Sequence, residues 1–202
     1  APDAIHHALA AKDYERAAIL VELAIPEMRR NRQEAARTEL GWLKALPDEL
    51  VHFRPVLSVA YAFALFGGGE LGGVEPRLQD AERWLDTADP VDPTADMRAR
   101  PESPEAGMVV VDEEEFRRLP GMIALTRAAQ ALGRGDMTET VKYARRVLDL
   151  APEDDHLMLG GAASQLGLTA WTSGDLETAR RMTAEGMTNL RLAGYISPAI
   201  GG

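Results

Sequence analysis

The chain has 202 residues, 46% of them hydrophobic, with a net charge of −10, a pI near 4.9 and no cysteine. This length and apolar content exclude global disorder and suffice for one large domain or an elongated array with a continuous core. The acidic balance argues against a nucleic-acid surface, which needs clustered Lys and Arg, and the lack of cysteine excludes disulfides and thiolate metal sites and fits a cytoplasmic protein. The longest apolar run, VLSVAYAFALF at 56–66, is too short for a membrane span, and APDAIHHALAAKDYER lacks the basic-then-apolar order of a secretory signal. No membrane association is expected. With no initiator Met and a first stretch that reads as mid-helix, the chain is expected to be a fragment of a larger protein.

In chain order, AAKDYERAAILVELA (10–24) reads as a turn followed by the second helix of a pair. NRQEAARTELGWLKALP (31–47) reads as an amphipathic helix with Leu40, Leu43 and Leu46 at helical spacing; Pro47 ends it and Pro55 opens the next. Residues 55–88 then form a first complete helix-turn-helix unit. Residues 89–112 carry prolines at 90, 93, 101 and 104, a density no helix survives, so this is an exposed inserted loop. Its end, MVVV (108–111), is suited to a short extended piece or to tucking against the array. DEEEFRRL starts the next helix, with acids at its positive end. Two further units follow at 121–154 and 160–193.

These units share one register over a 34-residue template. Small or compact residues recur at the three places where paired helices approach closely: Ala62, Val74 and Ala81; Ala128, Thr140 and Val147; Gly167, Ala179 and Gly186. Between the helices stand Gly135–Asp136 and Gly174–Asp175, 39 residues apart, with a looser Gly69–Glu70 upstream. Glycine supplies a left-handed helix end and the following acid caps the next helix, so the pair is a mechanical joint. Glu139, three residues after Asp136, adds a capping-box spacing. The fold class is therefore all-α: antiparallel tetratricopeptide-like helix pairs stacked in a right-handed superhelix, one domain over 1–202, with Trp42 and Trp84 filling gaps between helices.

Catalytic and metal chemistry find little to use. FGGGELGGVE is not followed by the Lys-Ser or Lys-Thr of a phosphate-binding loop. His6 and His7 point in different directions on a helix, and His52 and His156 stand alone in inter-helix loops, as solvent-facing or capping residues. The acids from Asp112 to Glu115 read as a solvated helix start. No cofactor, no metal and no catalyst is expected. The first helices of the units offer an unusually apolar lining for a concave face, led by Val59 and Phe63, Met122 and Leu125, and Leu168 and Trp171. Either these residues form the core of a tight superhelix, or they face a groove for an apolar or aromatic ligand.

From TELGWLKALPDELVHFRPVLSVAYAFALF (38–66) through residue 179, the order of helical words resembles the sensor region of large LuxR-type transcriptional regulators of the MalT class. The resemblance implies a plan of ATPase, tetratricopeptide-like sensor and DNA-binding helix-turn-helix, of which this chain is the sensor. It implies a small-molecule inducer or a regulatory protein as partner, DNA contacted only by a domain outside these residues, and homo-oligomerisation in the full-length protein. A generic scaffold that binds a protein or peptide is the alternative.

Overall fold

The computed structural model describes residues 2–30, 32–86 and 107–194, and the fold is all-helical. Ten α-helices stand among the described residues: α1 (Pro2–Ala10), α2 (Tyr14–Arg30), α3 (Arg32–Ala45), α4 (Asp48–His52), α5 (Pro55–Gly67), α6 (Val74–Asp86), α7 (Glu113–Gly133), α8 (Met137–Leu150), α9 (His156–Thr172) and α10 (Leu176–Leu192). The body of the inserted loop expected at 89–112 lies outside the described residues. The chain divides into two compact units, one built from 1–25 and 36–119, the other from 26–35 and 120–202. The chain crosses between them at Ile25–Pro26, Ala35–Ala36 and Leu119–Pro120, inside α2, α3 and α7. Of these helices, α2 and α7 run through a proline that removes one backbone hydrogen bond. The helix expected to start at DEEEFRRL begins at Glu113 as α7 and runs on through Pro120 into the stretch where the 121–154 unit begins. The short α4, after Pro47, is an addition.

Four helix joints share one hydrogen-bond pattern. At Asp13, Glu70, Asp136 and Asp175 the backbone N–H reaches the carbonyl five residues back, on Ala8, Leu65, Ala131 and Ala170, at 2.9–3.0 Å. The residue before each donates three residues back, to Leu9, Phe66, Leu132 and Trp171. This paired closure satisfies two helix-end carbonyls and requires a left-handed residue. Gly69, Gly135 and Gly174 take it at φ of 78°, 77° and 83°, and Lys12 takes it at 58° without a glycine. Asp13, Asp136 and Asp175 then accept an N–H three residues on, from Arg16, Glu139 and Thr178. The bond from Thr178 holds the Asp175 carboxyl below its usual range. Glu70 makes no such cap; its carboxylate pairs with Lys44 instead.

The small or compact residues at the three template places are all buried, Ala62, Val74, Ala81, Ala128, Thr140 and Val147 completely. Contact is tightest between α9 and α10, where a methyl added at Gly186 would lie 2.4 Å from Ser164 Oγ and 3.0 Å from its amide nitrogen. One at Gly167 would lie 2.7 Å from Thr183 Oγ1, and one at Gly160 would lie 2.9 Å from the Leu190 amide nitrogen. Residue numbers rise along α9 as their partners fall along α10, so the pair is antiparallel. Gly121 faces Met158 and Gly161 faces Leu125, both numbers rising together, so α7 and α9 run parallel. Trp42 and Trp84 are buried, and Trp84 Nε1 donates to the His52 carbonyl at 2.9 Å.

Gly186→Ala is expected to destabilise by about 1–3 kcal/mol despite alanine's better helix propensity, because the methyl meets backbone. Gly41→Ala, in α3 with nothing within 4 Å of the added carbon, is expected to stabilise by up to about 1 kcal/mol. Urea denaturation of both variants checks the contrast; a stabilised Gly186→Ala would deny the close approach.

Candidate binding surfaces

In the first unit, a buried charge network was invisible in the sequence reading. Glu22, on α2, is in phase with the buried Ala18, Val21 and Ile25 and is itself fully buried. Pro55 forces Arg54 out of helical geometry, to φ −125°, at the entrance to α5. There Arg54, whose side chain is 3% exposed, meets Glu22 at 3.4 Å and Glu15 at 2.7 Å. The other Glu22 oxygen accepts the Val111 N–H at 2.9 Å. Val109 N–H donates to the Phe53 carbonyl at 2.9 Å, so the MVVV segment tucks in rather than extending as a strand. Burial pushes the Glu22 carboxyl above the usual range, offset in part by the Val111 N–H and by Arg54. The one signal that could have found it was a lone carboxylate in phase with an apolar stripe.

The acids opening α7 are not uniformly solvated, as the sequence reading expected. Asp112 accepts the N–H groups of Glu114 and Glu115 at 2.9 and 3.1 Å, and Glu115 is buried beside Arg118 at 3.5 Å. The histidines differ as well. His6 and His7 are exposed. His52 ends α4, with Arg83 at 3.2 Å, Asp80 at 3.3 Å and its ring edge-on to Phe53. His156 opens α9 and lies 3.0 Å from the Asn189 side-chain oxygen. Among the described residues no three His, Cys, Asp or Glu are grouped to hold a metal. No helix among the described residues is long and apolar enough to cross a membrane.

The six residues expected to line a concave face divide between the two units. Val59 and Phe63 stand on α5 in the first, Val59 buried and Phe63 half-buried. Met122 and Leu125 on α7, and Leu168 and Trp171 on α9, belong to the second. Met122 and Leu125 are packed, Leu125 against Gly161, whereas Leu168 is 42% and Trp171 63% exposed. Core and open surface are thus both present among these six residues.

The second unit has another concavity, of about 690 Å³, formed by α8, α9 and α10. Met137, Val141 and Leu148 on α8 give it an apolar wall, one residue out of phase with the buried Thr140, Ala144 and Val147. Thr169 and Met182 are its buried floor. Arg145 and Arg181 are its only ionisable lining residues. On α9 the groove uses Leu166, Ala170 and Ser173. At about 100° per residue these lie roughly opposite Leu168 and Trp171, so α9 separates two distinct surfaces. The lining pattern of α8 was legible as a second apolar stripe beside the core stripe; that α10 would close the groove was not.

Compared with known proteins, the chain matches no family model, no curated protein and no solved structure.

Arg54→Ala should lower the unfolding free energy by about 3–5 kcal/mol, since it leaves a buried carboxylate without its cation. Glu22→Gln tests the titration. A folded pKa above the unfolded one gives stability that is full below the unfolded value and lost as pH rises through the folded value. The stability of Glu22→Gln relative to the native chain should therefore increase from pH 4 to pH 7, followed by urea denaturation. Parallel pH profiles would show that Glu22 is not the titrating group.

Proposed function

We propose that the chain is a non-catalytic sensor and protein-interaction module, the helical-repeat arm of a LuxR-type transcriptional regulator of the MalT class. In this reading its tetratricopeptide-like pairs stack into a right-handed superhelix in the cytoplasm. An inducer or regulatory protein favours one curvature, and the shift is relayed to ATPase and DNA-binding domains outside these residues. Only a difference in affinity between two states is needed. The repeated joints at Asp13, Glu70, Asp136 and Asp175 and the common register of small residues support the repeat architecture.

The observation that carries the sensing role is the exposed Trp171 beside Leu168, one turn apart on the first helix of the last pair. A large aromatic held open on an ordered helix is suited to stacking on a ligand or partner. The groove of α8, α9 and α10 favours the second reading, a scaffold that binds a peptide or protein.

Thermal shift of the chain against sugars, amino acids, aromatic acids and lipids tests the first reading. A ligand at a hundred times its Kd stabilises by about 2.7 kcal/mol. Calorimetry on Trp171→Ala is expected to show that ligand bound about tenfold or more weakly. Unchanged affinity would remove Trp171, and the sensor face with it.

A further inference from the structure

We infer that the groove of α8, α9 and α10 is a docking site for an amphipathic acidic peptide helix. The inference rests on the chain being an interaction module, but on a surface separate from that of Trp171. Three features select this occupant. The first is charge: the chain carries a net −10, yet the groove lining includes Arg145 and Arg181 and no acid. The helices that form its rims carry three basic and two acidic residues each, α8 with Glu139, Lys142, Arg145, Arg146 and Asp149 and α10 with Glu177, Arg180, Arg181, Glu185 and Arg191, and the caps Asp136 and Asp175 are outside the lining. Both lining arginines are exposed. Arg181 feels an attraction from Asp175, and among the described residues no ion pair engages Arg145.

The second feature is shape. From Met137 to Leu148 the apolar wall follows twelve residues of α8, about 16 Å, the length of about three turns of a helical ligand. Met137, Val141 and Leu148 recur at helical spacing, which presents a ridge for a partner's apolar stripe at i, i+4 and i+7. The third is openness. The trough is bounded by helices on its sides and open above, so it would bury one face of a rod rather than enclose a small molecule, whose sites cover most of the ligand. A partner with leucines on one face and glutamates flanking them would fill the trough and place carboxylates against both guanidinium groups, which hold carboxylates in paired geometry.

The test uses the full 202-residue chain and fluorescence anisotropy of a labelled 14-residue peptide, leucine at helical spacing with glutamate elsewhere. The same peptide with lysine for glutamate, and dodecanoate as an unlabelled competitor, complete the set. The acidic peptide should bind, weaken with added salt, and lose affinity about tenfold or more in Arg145→Glu/Arg181→Glu. Circular dichroism confirms that the variant is folded; should it not be, Arg145→Gln/Arg181→Gln serves, with a smaller loss in the same direction. Absence of binding to the folded chain, equal binding of the lysine peptide, unchanged affinity in the arginine variants, or displacement by dodecanoate at its own stoichiometric site would each overturn the assignment. Trp171→Ala separates the two surfaces. Peptide affinity retained in Trp171→Ala supports the groove whatever becomes of the sensor face; affinity lost there and kept in the arginine variants overturns the groove alone.

Discussion

Two helices can share a buried seam only as closely as their side chains let the backbones come, and at α9 and α10 nothing larger than a hydrogen fits. The Cβ of an alanine at Gly186, Gly167 or Gly160 would collide with backbone of the opposite helix. The antiparallel register of this pair is thereby fixed, since sliding by one residue would bring a side chain into each gap. The joints complete the constraint. At four places a helix end is closed by the same two hydrogen bonds. Lys12 shows that the closure, rather than glycine itself, is what the fold retains: it accepts a left-handed backbone that costs a residue with a Cβ about 1–2 kcal/mol.

The first unit is held differently. Its Glu22–Arg54 pair is a poor source of net stability, because desolvating two charges opposes their attraction. What the pair does is specify. Glu22 can be buried only if Arg54 and the Val111 N–H both reach it, and Arg54 is aimed there by the proline that follows it. Three segments far apart in sequence, around residues 22, 54 and 111, are obliged to meet at one carboxylate.

The second unit turns one helix into a partition. Along α9 the face bearing Leu168 and Trp171 and the face bearing Leu166, Ala170 and Ser173 are back to back. A helix in a simple bundle has one buried stripe and one wet face. α9 has few charges and an almost uniformly apolar or small composition, HLMLGGAASQLGLTAWT, which suits an element contacted from several sides. That composition leaves the open residues to be chosen by the neighbours.

Local structure was legible in the residues alone. Period, caps and breakers placed helices, the joints at Asp136 and Asp175, and the nine small or compact residues that are buried, because each depends on residues within a turn or two of one another. The sequence also announced the helix at Glu113, though not that it would run on through Pro120. Which apolar residues stay open depends on the packing of distant elements. Leu132 and Trp171 occupy equivalent places on the 34-residue template, yet Leu132 is half-buried and Trp171 is 63% exposed. That packing also decided that Glu22, Arg54 and Val111 converge, and that α10 closes a groove over α8 and α9. Burial depends on which distant element arrives above a residue, and helical periodicity carries a direction around the axis but no information about what lies there.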